Sequence, residues 1–249
     1  RKQDSQTCWR KFISFPREDS EGQVIWDGIE IDITEQKRYE FRDQKIKTMI
    51  FELNASMNLH DGLENLLAQL INFRDVDCGG IYTVNPKDGS LNLIVHRGLS
   101  KSFIEKVSHY TKKSPRVILM ETGKLLYVQK EELDKMEQDP VMKEGLKSLA
   151  SIPVISQGKL VAVINLASHT ASCISEDTKY MLENIALQAG NVIMRMYSDE
   201  ELKQTEEIFR LFMENSPIYL FFKDENIRSL RLSKNYEKML GRPLEELLG

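Results

Sequence analysis

Gly145-Leu146-Lys147-Ser148-Leu149-Ala150-Ser151-Ile152-Pro153-Val154 and, just after it, Gly158-Lys159-Leu160-Val161-Ala162-Val163-Ile164-Asn165-Leu166 decide the fold of this 249-residue chain. Ser156-Gln157-Gly158 separates two extended runs, 148–155 and 159–167, and a spacer that short predicts a β-hairpin. The second run is almost unbroken in apolar residues, as expected of a strand covered on both faces at the centre of a sheet. Upstream, from Cys78, the pattern is again strand-like. Ile81–Val84 and Leu91–Val95 flank Asn85-Pro86-Lys87-Asp88-Gly89, a turn in which glycine supplies the positive dihedral. Short helices are expected around Phe103–Val107, including His109 at its end, and around Val117–Glu121. Thr122-Gly123-Lys124 then leads into a strand at Leu125–Val128, and the charged stretch Lys130–Asp139 reads as an exposed loop or helix.

Helices bracket this sheet. Asp32-Ile33-Thr34-Glu35 offers cap oxygens at the spacing of a capping box, with Asp32 at the cap. The helix it starts runs from about residue 35 to the mid-fifties, with Tyr39, Ile46, Met49, Ile50 and Leu53 near a 3.5-residue stripe. His60-Asp61 restarts a second helix carrying Leu63, Leu66, Leu67, Leu70 and Ile71. Ser175-Glu176-Asp177 caps the longest helix, with Leu182, Ile185, Ala189, Val192 and Met196 on one stripe; the stripe resumes out of phase at Leu202, Phe209 and Phe212, and Asn215-Ser216-Pro217 ends it. At the front, 9–15 and 23–33 alternate around the turn-rich Pro16–Gly22, a hairpin signal. At the back, Ile218–Phe222, a second strand, Lys234–Leu240 and Leu244–Leu248 read as strand, strand, helix, helix. The fold class is α+β: an antiparallel sheet with helices on both faces and long helices leading in and out.

Composition narrows the function. The chain is 41% hydrophobic and 29% charged with a formal charge of −4 and both signs interspersed, so no basic footprint for nucleic acid or an anionic membrane is present. No apolar run approaches the roughly 20 residues of a membrane helix. The chain opens Arg1-Lys2-Gln3 without Met and reads as a piece of a larger protein, whose membrane anchorage is left open. Cys8, Cys78 and Cys173 share no CxxC-like spacing, which suits a reducing, cytoplasmic compartment. Cys78 reads as core. His169 and Cys173, four apart, lack the two further ligands of a metal site. No phosphate-cradling glycine loop, GxSxG elbow or Cys–His pair with an orienting carboxylate occurs.

Over about 140 residues the middle of the chain resembles a GAF domain. The resemblance rests on ordered features: Gly80-Ile81-Tyr82 before the Asp-Gly hairpin, Glu121-Thr122-Gly123-Lys124-Leu125, the two runs quoted first, Ser175-Glu176-Asp177, and Leu182-Glu183-Asn184-Ile185-Ala186. Ala162 stands where that family usually has glycine. The ends resemble PAS domains: Gly28-Ile29-Glu30-Ile31-Asp32-Ile33-Thr34-Glu35-Gln36-Lys37 is similar to the closing strand and exit. Phe209–Ile218, Lys223-Asp224 and Asn235 through Gly241 to Gly249 are similar to the opening. The resemblance implies a PAS tail at 1–40, a helical linker at 41–57, a GAF domain at 58–198, a second linker at 199–215 and the start of another PAS domain at 216–249.

It also implies a sensory relay with no catalytic module of its own, from a parent that is a sensor histidine kinase first and a diguanylate cyclase second. Neither the cyclic-nucleotide signature of some GAF domains nor a cysteine at a bilin attachment position is present, so no cofactor is evident and an unknown small-molecule ligand is the expectation. Arg97, Tyr127 and Asn165 are its polar candidates, with Phe103, Ile118 and Met120 as walls; ordinary core and rim roles are the alternative. For Ile46, Ile50, Leu53, Phe209 and Phe212 the expectation is a dimer and relay face in a homodimer that passes signals to an output domain of the same chain, without nucleic acid or membrane contact from this segment. Leu63–Ile71 and Leu182–Ala189 are expected to pack on the sheet. Leu59-His60-Asp61-Gly62-Leu63 resembles the phosphoacceptor segment of one class of histidine kinases, yet no nucleotide-binding box follows, and His60 reads instead as a solvated or capping residue at the helix start, with phosphoacceptor as the alternative. A ligand-free dimerising spacer is the remaining alternative.

Overall fold

The structure is a computed structural model that describes residues 7–18, 20–133 and 143–248. It divides into two compact units, residues 1–193 and 194–249. The first opens with the hairpin β1 (Arg10–Glu18) and β2 (Val24–Asp32), antiparallel in register from Arg10↔Asp32 to Glu18↔Val24. Asp19 of the expected turn, and residues 134–139 of the charged stretch, lie outside the described residues.

The leading helix α1 spans Thr34–Ala55. The capping box expected there does not form. Ile33 occupies the cap position without a side-chain bond, because the Asp32 carboxylate takes the amide of Thr34 at 2.8 Å instead. Helix α2 (Leu59–Leu70) is capped by Asn58, whose side chain accepts from the Asp61 amide. Then follow β3 (Cys78–Val84), β4 (Leu91–Arg97), α3 (Lys101–Val107), β5 (His109–Tyr110), α4 (Pro115–Glu121), β6 (Leu126–Val128), α5 (Lys130–Leu133), β7 (Ser148–Ser156), β8 (Lys159–Ser168) and α6 (Glu176–Asn215). His109, expected on a helix, lies in β5 and pairs with Asn92.

Among the described residues β5-β4-β3-β8-β7-β6 form one antiparallel sheet. The α+β expectation holds, with β8 in the interior of the sheet. Register sorts the side chains by face: Tyr82↔Val163, Gly80↔Asn165, Ser151↔Asn165 and Leu126↔Ser151 share one face, and Ile81↔Ile164, Ile152↔Ile164 and Tyr127↔Ala150 share the other. The second face is covered by α2 and the first half of α6. Leu63, Leu67, Leu70, Leu182, Ile185 and Ala189 are each 0% exposed, as the helical stripes read from the sequence require; beyond Ala189 the buried position is Ile193, and Val192 is half-buried. Short helices cover the first face.

Two contacts fix the helix layer. A β-carbon added at Gly190 would stand 2.3 Å from the Ile155 carbonyl oxygen, so α6 lies against β7 at a distance only glycine permits. Arg42 of α1 bonds Asp177 at 2.6 Å and lies over the rings of Tyr39 and Tyr180, 4.4 and 5.4 Å from their centroids. Contacts 42 to 177 and 39 to 180 run in opposite order, so α1 and the start of α6 are antiparallel there.

The β7–β8 turn places Gln157 at φ 49 and Gly158 at φ 75. Both positions are left-handed, the turn that matches strand twist in a two-residue hairpin. Ala162 is absent from the positive-φ residues, so the alanine is accommodated in an ordinary strand. Gln157 is not a residue that favours its conformation, whose cost is about 1–2 kcal/mol. Gln157→Asn is expected to raise stability by roughly 0.5–1 kcal/mol, read as a Tm increase of about 1–4 °C in thermal unfolding.

The second unit holds the remainder of α6, β9 (Phe221–Lys223) paired with β10 (Ser229–Leu232), α7 (Asn235–Leu240) and a 3-10 turn, Leu244–Glu246. Ser233 is fully buried, and its hydroxyl accepts from the Leu220 amide at 2.8 Å. Gly241 ends α7 at φ 64, the left-handed helix stop. No helix among the described residues is long and apolar enough to cross a membrane.

Candidate ligand pocket

The first sheet face, under α4 and β6, encloses a cavity of about 160 Å³. Its floor is polar and comes from neighbouring strands. Ser151 donates to Asn165 Oδ1 at 2.6 Å and lies 3.3 Å from Met120 Sδ. Tyr82 stands one strand away, its ring centroid 5.8 Å from that of Tyr110. Burial, then the neighbouring Tyr110, pushes the Tyr82 phenol far above its ordinary range, so it stays neutral. Arg116, near the start of α4, donates to the Tyr110 oxygen at 3.1 Å. Leu119, Leu126, Val128 and Val163 complete apolar walls. Among the described lining residues there is no carboxylate, imidazole or thiol; the polar groups are two phenols, a hydroxyl, an amide and a guanidinium.

The structure brings together some of the sequence-derived site residues and separates others. Met120 and Asn165 line the cavity. Phe103 lines an adjoining recess of about 30 Å³ that Asn165, Tyr82 and Arg116 share. Arg97 does not reach it: a β-bulge between Ile81 and Tyr82 inserts a residue into β4, and beyond a bulge alternation changes face. Arg97 therefore pairs opposite Gly79 and reaches Glu64 of α2 at 2.6 Å. Tyr127 is displaced by simple alternation; Leu126 and Val128 point into the cavity, and Tyr127 between them bonds Glu183 of α6 at 3.0 Å. Ile118 is on the outer side of α4 and 53% exposed. Tyr82, Tyr110, Arg116 and Ser151 were missed. Ser151 could have been found from its register opposite Asn165 across the 156–158 turn; Arg116 carries no signal in the sequence.

The helix residues also sort differently from expectation. Ile46 and Leu53, each 1% exposed, are buried within this chain, where α1 packs on α2, so they are not free to form a dimer face. Ile50 is half-buried, Phe209 packs edge-on against Phe222 at 5.5 Å, and Phe212 is exposed. His60 sits in the first turn of α2 with a 64% exposed side chain, 3.7 Å from Asp61.

His169 finds a partner other than Cys173, which is exposed. Asp77, Cys78 and His169 offer ligand atoms within 4.8 Å of one another. The Asp77 carboxylate is nonetheless already committed. It accepts from the His169 amide (3.0 Å) and ring Nδ1 (2.9 Å), Ser168 Oγ (2.7 Å) and Thr170 Oγ1 (3.0 Å). Burial alone would raise its pKa; those hydrogen bonds outweigh burial and hold it well below the usual carboxylate range. The Cys78 thiol, fully buried, is pushed up by burial and by Asp77, which disfavours the thiolate a metal requires. The cluster is a hydrogen-bonded tie between the start of β3 and the end of β8.

The family model for the GAF domain matches residues 56–194, more than half of the chain. The GAF domain of an Acinetobacter phosphoenolpyruvate-protein phosphotransferase is 20% identical, with a TM-score of 0.53 over 64% of this chain and 95% of that one. The GAF domain of the corresponding Coxiella burnetii protein is 16% identical, with a TM-score of 0.54 over 64% and 96%. A phycoerythrobilin-bound GAF domain of a cyanobacterial phytochrome is 16% identical, with a TM-score of 0.52 over 64% and 97%. No curated protein matches the chain. At these identities the solved structures speak for the fold alone, and the family match settles the rest: this chain belongs to the GAF-domain family.

Proposed function

We propose that this chain is the sensory part of a modular signalling protein, whose GAF domain takes a small molecule into the cavity between the sheet and α4. The observation that carries the reading is the cavity itself: apolar walls over a floor where Tyr82, Tyr110, Ser151, Asn165 and Arg116 converge, the composition of a small-ligand site. A compact ligand, largely apolar with one or two polar groups for Asn165 and the tyrosines, suits it. Occupancy is passed through the long helices to an output module of the same protein, with a histidine kinase as the first choice. Residues 1–40 and 216–249 are read as portions of PAS-type domains. In support, β1–β2 and β9–β10 are two-stranded sheets with exposed aromatic residues, and such sheets need further partners to be stable. In a homodimer the contact would draw on exposed apolar residues such as Phe51 and Phe212, since Ile46 and Leu53 are enclosed.

Thermal unfolding against a panel of small metabolites tests the reading. A true ligand at 100 times its Kd is expected to add about 2.7 kcal/mol, and Asn165→Leu, which removes the central amide, is expected to abolish most of that shift. If no compound stabilises the chain, or if Asn165→Leu responds as the wild type does, the cavity is not the sensory site.

A further inference from the structure

The cavity and the long helix lie on opposite faces of one sheet, and the short strand β6 touches both. β6 is three residues long and stands at the edge of the sheet, paired with β7. An edge strand of this length has few ladder bonds to hold it. Leu126 and Val128 form that wall. Tyr127, between them, projects through to the other face. There its hydroxyl donates to Glu183 of α6 at 3.0 Å, and Lys179, ion-paired with Glu176 at 2.7 Å, lies 5.1 Å from the ring centroid. Successive strand residues share one backbone, so any outward displacement of Leu126 and Val128 carries Tyr127 with it.

The helix is held differently a little further on. Gly190 rests on the Ile155 carbonyl, and Asn191 accepts from Ser156 Oγ at 2.8 Å. From Glu183 to Gly190 is seven residues, about 10.5 Å at 1.5 Å per residue, so a shift of roughly 1 Å at Glu183 against a fixed Gly190 tilts the helix by about 5°. Movements of this size are those that packed helices use in switching.

We propose that Tyr127 is the positioning residue that couples cavity occupancy to α6, by joining the movable wall strand β6 to Glu183. The proposal rests on the cavity being the ligand site. Its role differs from binding: Tyr127 contributes no surface to the cavity, and the hydrogen bond to Glu183 transmits the displacement.

The test uses the whole chain, isotope-labelled for NMR, with two stimuli. One is xenon, a probe that enters apolar cavities. The other is Leu119→Phe, whose larger side chain fills the cavity from α4 without any ligand. Methyl shifts of Leu126 and Val128 report the wall, and backbone amide shifts of Lys179–Leu187 report the helix. In the wild-type background both sets are expected to move under either stimulus. In Tyr127→Phe, which keeps the ring and loses only the hydroxyl, the methyls are expected to move as before. The helix amides should then fall to the response of helix positions remote from the cavity. Glu183→Gln retains an accepting oxygen and is expected to keep the helix response; Glu183→Leu is expected to lose it. Helix amides that respond equally in Tyr127→Phe overturn the proposal. Should xenon leave Leu126 and Val128 unmoved, the ligand-site reading fails by itself, and Leu119→Phe still decides whether β6 and α6 are coupled.

Discussion

Gly190→Ala is expected to destabilise the chain by about 2 kcal/mol, although the same change in an unconstrained helix is stabilising by about 1 kcal/mol. The sign reverses because the new methyl would lie 2.3 Å from the Ile155 carbonyl oxygen and 3.0 Å from its carbon. Both are backbone atoms near the end of β7 and cannot swing aside as a flexible side chain would. Either α6 lifts from β7 or the end of β7 bends, and overpacking of this kind costs about 1–3 kcal/mol or more. Lifting the helix also strains the Ser156–Asn191 hydrogen bond, 2.8 Å as it stands. Urea denaturation reads the loss directly, and Gly190→Val should lose more than alanine does. A Gly190→Ala protein as stable as the wild type would show that α6 does not lie this close to β7.

Asp77→Ala is the second large loss expected, about 2–4 kcal/mol. A hydrogen bond to a charged group contributes about 1.5–3 kcal/mol when well shielded. Asp77 gathers four donors, but its side chain is 33% exposed, so water takes over part of what is lost. The pH dependence carries a definite sign. The native pKa is depressed below the ordinary aspartate value, so the unfolded chain binds the proton more readily than the folded one. The contribution is therefore complete above about pH 5 and is lost as pH falls below about 3.9 toward the lower native value. Between pH 6 and pH 2.5 the unfolding free energy of the wild type should fall more steeply than that of Asp77→Ala, so that the gap between the two narrows. Parallel curves for the two proteins would remove Asp77 from the account.

Much of the sheet was legible because its signals are local. The glycine turns at 85–89 and 156–158, the apolar run of β8 and the stripes of α2 and α6 each follow from residues close in sequence. What the sequence hid is long-range. Arg97 has the parity of Leu91 and Leu93 and reads as a pocket residue, yet the bulge opposite Ile81–Tyr82 moves it to the helix face; a bulge is a property of two paired strands and leaves no mark in one. Ile46 and Leu53 read as a dimer seam because a 3.5-residue stripe specifies an apolar partner without naming it, and α2 of the same chain meets that need. Tyr127 is the instructive case. Its neighbours were correctly placed in a strand, and alternation alone sends it away from the cavity that Leu126 and Val128 line. Tyr110 and Arg116 come from a two-residue strand and a seven-residue helix, elements too short for periodicity to locate.

The hairpin β1–β2 has a consequence for how the molecule behaves in the tube. Phe12 and Trp26 emerge from one side of it and Phe15 and Ile29 from the other, each at least 64% exposed, while its charged pairs, Arg10–Glu30 and Arg17–Asp27, are split between the two sides. A two-sided ribbon of this kind with open edges is a template for further strands. Turbidity and concentration-dependent sticking of this polypeptide can therefore start at such a ribbon while the sheet that bears the cavity is still intact.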